Sequence, residues 1–147
     1  MEGHALSLEI RRTTTAEEIK KAIGLRHTVF SLEQGIPSEL NQDNEDDTAI
    51  HVIAIEGGII LGTGRLLHHF EIPRIGRMAV VKTSRGKGIG SGILTYIENE
   101  VKVLGRSGVL LHAQLTAQEF YASNGYIPEG SIFEEAGVPH ITMKKFL

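Results

Sequence analysis

Between Arg85 and Ser91 the chain reads Arg-Gly-Lys-Gly-Ile-Gly-Ser. Gly86, Gly88 and Gly90 remove side chains at alternate positions. Backbone N–H groups of such a loop can approach a ligand closely. Ile89 and Ser91 fall where a helix begins, and the first helical turn offers unpaired donors and the positive dipole end. Arg85 and Lys87 add formal charge. Together these residues make an anion site, with a diphosphate as its natural guest. The plainer reading is a glycine-softened turn with two solvated cations. A P-loop requires Ser or Thr after Gly-Lys, but Gly88 follows Lys87. A dinucleotide fold requires an acid at the end of the next strand, which here ends His112-Ala113-Gln114.

The elements around this loop are readable from pattern. Met78, Val80 and Val81 form a β-competent run before it. Ile89, Ile93, Leu94 and Ile97 recur at helical spacing after it, with Val101 and Leu104 continuing the stripe. The spacing thus predicts a strand, a basic loop and a long helix from Arg74 to Glu100. Upstream, Leu8 and Ile10 suggest a first strand to about Arg12, after a frayed start over Met1–Ser7. Thr15 and Glu18 predict a capping box, and the apolar face beginning at Ile19 ends near Leu32. Two strands, Ile50–Ile55 and Ile59–Leu67, flank a Glu56-Gly57-Gly58 hairpin turn, and Gly62 and Gly64 suggest close backbone approach or a bend. Downstream come a strand over Val109–Ala113, a short helix over Ala117–Ser123 and a strand from Tyr126. A loop is expected from Phe133 to Pro139, then a last strand from His140 to Phe146.

Two stretches resemble the GNAT superfamily, the general-control-related N-acetyltransferases. Arg85-x-x-Gly88-x-Gly90, after Met78-Ala79-Val80, resembles the family's acetyl-CoA loop. Ala117-x-x-Phe120-Tyr121-x-x-x-Gly125-Tyr126 is similar to its second signature, in the expected order. The resemblance is strong from Arg74 to Tyr126. Shorter matches over Val29–Pro37 and Glu134–His140 resemble a small bacterial subgroup of unassigned substrate. It implies a mixed α/β (α+β) fold: a central, mostly antiparallel twisted sheet with flanking helices, splayed at the acetyl-CoA site. One N-acetyltransferase domain would span residues 1–147.

The same resemblance implies the chemistry. Acetyl-CoA, as cosubstrate and without a metal, would set its pyrophosphate on the amides of Arg85–Ser91. Its pantetheine arm would run beside Met78, Ala79 and Val80, near Gln114 and Phe120. A backbone N–H there could face the thioester oxygen. Tyr121 occupies the position from which a phenol can protonate the departing sulfur. Coenzyme-type thiols titrate near ~8.5 and phenols near ~10, so such donation helps without being mandatory. The acceptor amine, at ~10.4, is mostly protonated at neutral pH, a handicap of roughly 4–5 kcal/mol. A base must therefore take its proton. Arg77 to Val81 holds no acid, which leaves His112 first, then Glu33 and His140. Direct attack in a ternary complex is expected, since the chain has no cysteine to carry an acyl group.

Composition limits the alternatives. With 147 residues and 41% apolar content, one globular domain is expected. The absence of cysteine excludes disulfides and thiolate metal sites. A net charge of −3 argues against a general nucleic-acid partner. No apolar run approaches membrane-spanning length and no signal-peptide pattern is seen, so a cytoplasmic protein is expected. His68-His69 lacks a third ligand and reads as a polar strand end. The acidic run Glu39–Asp47 reads as a solvated loop or as a rim that attracts a cationic amine. Expected partners are a small-molecule or peptide amine, no nucleic acid and no membrane, with a homodimer as the candidate assembly. The competing function is a non-catalytic acyl-CoA or nucleotide-binding module using the same loop. A nicotinamide-dinucleotide enzyme is a weaker third reading.

Overall fold

The chain runs β1 (Glu9–Arg12), α1 (Ala16–Arg26), β2 (Ile50–Glu56), β3 (Ile59–Leu67), β4 (Arg74–Val80), α2 (Ile89–Val103), β5 (Gly108–Gln114), α3 (Gln118–Ser123), β6 (Ile127–Glu135) and β7 (Val138–Phe146). This is a computed structural model describing residues 7–147; the start expected to fray lies outside the described residues except for Ser7. The seven strands form one sheet in the order β1-β2-β3-β4-β5-β7-β6. Every neighbouring pair is antiparallel except β4 and β5. Those two run parallel and pair only at Arg74–Leu110 and Ile75–Leu111. Beyond Ile75 they part, and the gap between them is the cleft that the mostly antiparallel, splayed fold was expected to hold.

The apolar stripe of α2 closes one face of the sheet. Ile89, Ile93, Leu94, Ile97 and Val101 are buried against β2, β3 and β5, whereas Leu104 is 46% exposed and lies past the stripe. Full burial of a side chain such as Ile93 or Ile97 contributes about 1.5–3 kcal/mol. The helix comes close because β3 yields room. A Cβ on Gly64 would lie 2.6 Å from the Met78 sulfur and 3.0 Å from Ile93, so the close approach expected there is made by a packed helix.

On the opposite face, Thr15 caps α1 by accepting from the Glu18 N–H at 3.1 Å. Glu18 does not complete the capping box on Thr15. Its carboxylate reaches Thr14 N–H at 2.8 Å and the Arg11 guanidinium at 2.6 Å. α1 passes directly into a π-helical turn, His27–Glu33. The Glu39–Asp47 stretch holds two 3₁₀ turns, Ser38–Leu40 and Asn44–Asp47.

The expected loop from Phe133 to Pro139 is corrected to a tight hairpin. β6 continues to Glu135 and β7 begins at Val138, joined by Ala136 (φ 54°) and Gly137 (φ 75°). Two successive positive φ values are what a two-residue hairpin turn requires. Pro139 is tolerated because the last β5–β7 pair is Gln114–His140, so Pro139 has a strand on one side only.

Candidate active site

At the mouth of the cleft, Gly86 (φ 78°) and Gly88 (φ 83°) turn the chain from β4 into α2. That conformation strains any L side chain. The first helical bond is Gly92 N–H to Gly88 O, and no N–H from Gly86 to Ser91 donates to another backbone group. Six donors thus stand together at the start of a 15-residue helix. Arg85 is anchored beside them, with Nε on the Val80 carbonyl at 2.9 Å and Nη2 on Glu33 at 2.8 Å. The loop has the donor geometry and the openness that a diphosphate requires.

The cleft opens into a cavity of about 990 Å³. Met78, Ala79, Val80, Arg85, Gly86, Gly88, Ile89, Gly90, Ser91, Gln114, Phe120, Tyr121, His112 and His140 all line it, although the motifs come from separate parts of the chain. Lys87 and Glu33 do not line it. Glu33 holds Arg85 instead.

On the β5–β7 wall, His112 is not a core histidine. It projects from β5 beside Phe133, edge to face at 5.0 Å, with Nδ1 at 2.9 Å from Glu135 Oε1. A carboxylate can only accept, so Nδ1 carries a proton, and in the neutral imidazole Nε2 is the nitrogen with the lone pair. His140 is buried, donates Nδ1–H to the Val138 carbonyl at 2.7 Å, and stands 3.7 Å from the other Glu135 oxygen. The His112 hydrogen bond, against partial desolvation, holds the Glu135 carboxyl below its usual range; the His112, His140 and Arg77 charges add to this. Tyr121 is buried beneath this wall, packed on Phe120 and Tyr126. Burial pushes its phenol up to about 12. Among the described residues its hydroxyl makes no hydrogen bond, and the side chain borders the cavity.

The facing wall carries an arginine cluster. Buried Asp46 bridges Arg26 at 2.8 Å and Arg65 at 2.9 Å. Asp43 takes Arg65 at 2.6 Å and Arg77 at 3.1 Å. Asn41 accepts from Arg26 with its side chain at 2.9 Å and also with its carbonyl. Burial opposes the Asp46 charge, but the guanidiniums of Arg26 and Arg65 outweigh it and keep the carboxyl well below its usual range. Two acids of the expected acidic rim are therefore neutralised internally. β4 makes this possible by slipping register opposite Gly64, where Arg77 sits at φ 50°. That strained conformation turns its guanidinium to Asp43 and to the Leu40 and Asn41 carbonyls.

Sequence reading did not single out Glu135 or the arginine cluster. The signal for Glu135 lay in Ala136-Gly137, which as a tight turn places Glu135 across from Val138 and near His140.

The family model for the acetyltransferase (GNAT) domain matches residues 10–147. The chain belongs to this family. Acyl transfer is the general chemistry of such GNAT proteins. The chain is 32% identical to the uncharacterized N-acetyltransferase YjcF of Bacillus subtilis (strain 168) over 88% of its own length and 93% of the relative's. A crystal structure of a candidate N-acetyltransferase from Lactobacillus plantarum superposes with a TM-score of 0.88 at 29% identity, covering 96% of this chain and 99% of that one. An aminoglycoside 6′-N-acetyltransferase complexed with coenzyme A shares the fold at TM-score 0.74 and 18% identity, covering 94% and 96%. No helix of the described residues is long and apolar enough to cross a membrane. Among them, no group of three His, Asp or Glu side chains could hold a metal ion. His69 instead pairs with Glu45 at 3.2 Å, and His68 bonds the Thr48 carbonyl.

Proposed function

We propose that this protein transfers an acetyl group from acetyl-CoA to a primary amine by direct attack in a ternary complex. The observation that carries this reading is the single cavity bordered by the free-amide loop, the Tyr121 phenol and the His112–Glu135 pair. The coenzyme A complex of the aminoglycoside-modifying neighbour supports the choice of donor. The pyrophosphate would rest on the N–H groups of Gly86–Ser91, with Arg85 beside it. The pantetheine would follow the unpaired edge of β4 at Met78–Val80, flanked by Gln114 and Phe120.

His112 Nε2 takes the ammonium proton, and Glu135 holds the imidazole in the tautomer this requires. The neutral amine attacks the thioester carbon. The C–N bond forms and a β4 N–H stabilises the oxyanion; as the oxyanion collapses the C–S bond breaks and the nitrogen loses its second proton to solvent. Tyr121 gives its proton to the leaving sulfur and recovers one from solvent. The products are the amide, the free thiol and one proton. Glu33 is a support for Arg85 in this scheme, and His140 a second partner for Glu135.

Thiol release with acetyl-CoA against a panel of amines, amino acids and peptides tests the reading. An acceptor-dependent signal that falls in His112→Ala is expected. Tight coenzyme A binding with no release for any amine would instead establish a non-catalytic binding module.

A further inference from the structure

Four arginines border the cavity: Arg65, Arg74, Arg77 and Arg85. Three are answered within the chain, by Asp43 and Asp46, by Asp43 with two carbonyls, and by Glu33 with one. Among the described residues, the Arg74 side chain has no carboxylate within ion-pair distance and no hydrogen bond. Its guanidinium lies over the Phe70 ring, 3.9 Å from the centroid. Its direct partners in the sheet are Leu67 on β3 and Leu110 on β5. Paired residues project on the same face, so a half-buried cation stands between two leucines on an aromatic ring. Glu45 also borders the cavity, but His69 holds it.

A partly covered cation without an internal anion gains a charge-assisted hydrogen bond from a ligand that supplies one. A guanidinium stacked by its face keeps its N–H edge for a planar, bidentate acceptor. One fork between apolar neighbours suits a carboxylate, whereas a phosphate gathers several donors. His112 lies two positions beyond Leu110 on β5, on the same face. Strand spacing puts its backbone about 8 Å from that of Arg74, with both side chains facing the same space.

We propose that Arg74 is the specificity residue for the acceptor, and that the acceptor is an amine bearing a carboxylate, of amino-acid type, with an apolar body against Leu67 and Leu110. The carboxylate forks onto Arg74 while the amine faces His112. This rests on the acyl-transfer reading, and the test separates the two.

The test compares L-amino acids with apolar side chains, their carboxamides and their aminophosphonate analogues in the thiol-release assay. For wild type, kcat/KM should favour the acid over its amide by about tenfold to a hundredfold, as hydrogen bonds to a charged group imply. Arg74→Gln should abolish that preference mainly through KM, and Arg74→Lys should restore part of it. Equal use of acid and amide by wild type, which needs no variant, overturns the proposal, as does preference for the phosphonate. If no amine releases thiol, the acyl-transfer reading fails, and calorimetry with the N-acetyl amino acids decides the subsite separately. Binding of the acid but not the amide, lost in a folded Arg74→Gln protein, supports Arg74. Absence of that difference removes it.

Discussion

Arg65 and Arg77 on one wall of the cavity, with Arg26 buried behind them, are tied to Asp43, Asp46 and nearby carbonyls, while on the other wall His112 commits Nδ1 to Glu135 and leaves Nε2 without a partner among the described residues. Tyr121, beneath that second wall, commits its hydroxyl to nothing among the described residues. Both regions are rich in ionisable groups, yet they serve different ends. On the first wall guanidinium and carboxylate pair with one another, leaving only Arg65 Nε without a partner among the described residues of that cluster, so the acids stay ionised and the loop is held in place. On the second wall His112 Nε2 and the Tyr121 hydroxyl keep no partner among the described residues and border the cavity. The degree of saturation, more than the number of charges, distinguishes scaffold from chemistry.

The contrast can be broken most directly at Tyr121. Tyr121→Phe should lower turnover by roughly 10²–10⁴ and leave the thermal midpoint nearly unchanged, because the hydroxyl has no partner to lose. Steady-state kinetics beside a melting curve check both; near-normal turnover would take Tyr121 off the list of catalytic residues. Asp46→Ala should do the reverse. Removing the only carboxylate that pairs with buried Arg26, and one of the two that pair with Arg65, should destabilise the fold by about 3–5 kcal/mol, read by denaturant unfolding, while the remaining folded protein still turns over. A stable Asp46→Ala protein would mean that the cluster is not the scaffold described.

The same contrast appears against pH. Asp46 is held below its unfolded value, so its contribution is present above about pH 4 and lost as pH falls through the folded value. Unfolding from pH 6 down to 2 should show a steeper acid slope in wild type than in Asp46→Asn. Tyr121 behaves oppositely. Its phenol is raised to about 12, so the associated stability is full below about pH 10 and fades as pH climbs toward the folded value. Tyr121→Phe should lose part of that alkaline slope; identical slopes would argue that the ring is more solvated than the structure indicates. The smallest effect is expected at Glu135. Glu135→Gln should reduce kcat by less than the roughly 10²–10⁴ a general base contributes, with the KM for acetyl-CoA unchanged, since it positions His112 and does not touch the donor. A change confined to KM would move Glu135 to the binding side.

Much of this was legible in the residues. The 3.6 period of α2 and the glycine loop before it located the free-amide mouth of the cavity, and the Phe120-Tyr121 signature located the phenol that borders it. What escaped depends on distant partners. Nothing near Asp46 in the chain announces that Arg65, 19 residues on, will bury with it. Arg77 looks like an ordinary strand residue until the slip opposite Gly64 gives it a positive φ. Glu135 was hidden by Pro139, which reads as a breaker unless one knows that β7 has lost its second neighbour there. Local periodicity reports elements well, but it carries little about which side chains a sheet brings face to face.

Gly90 and Phe120 were described as two cavity-lining residues from two motifs, and they also touch. A Cβ at position 90 would lie 2.9 Å from the Phe120 ring. The donor loop and the helix bearing Tyr121 therefore share one packing contact across 30 positions of sequence. Alanine at 90 should be poorly tolerated beside phenylalanine and better tolerated beside leucine, so the two sites are expected to be epistatic. In a randomised library, surviving substitutions at 90 should be found together with smaller residues at 120. The glycine loop and the helix that carries Tyr121 would then have to evolve as one unit.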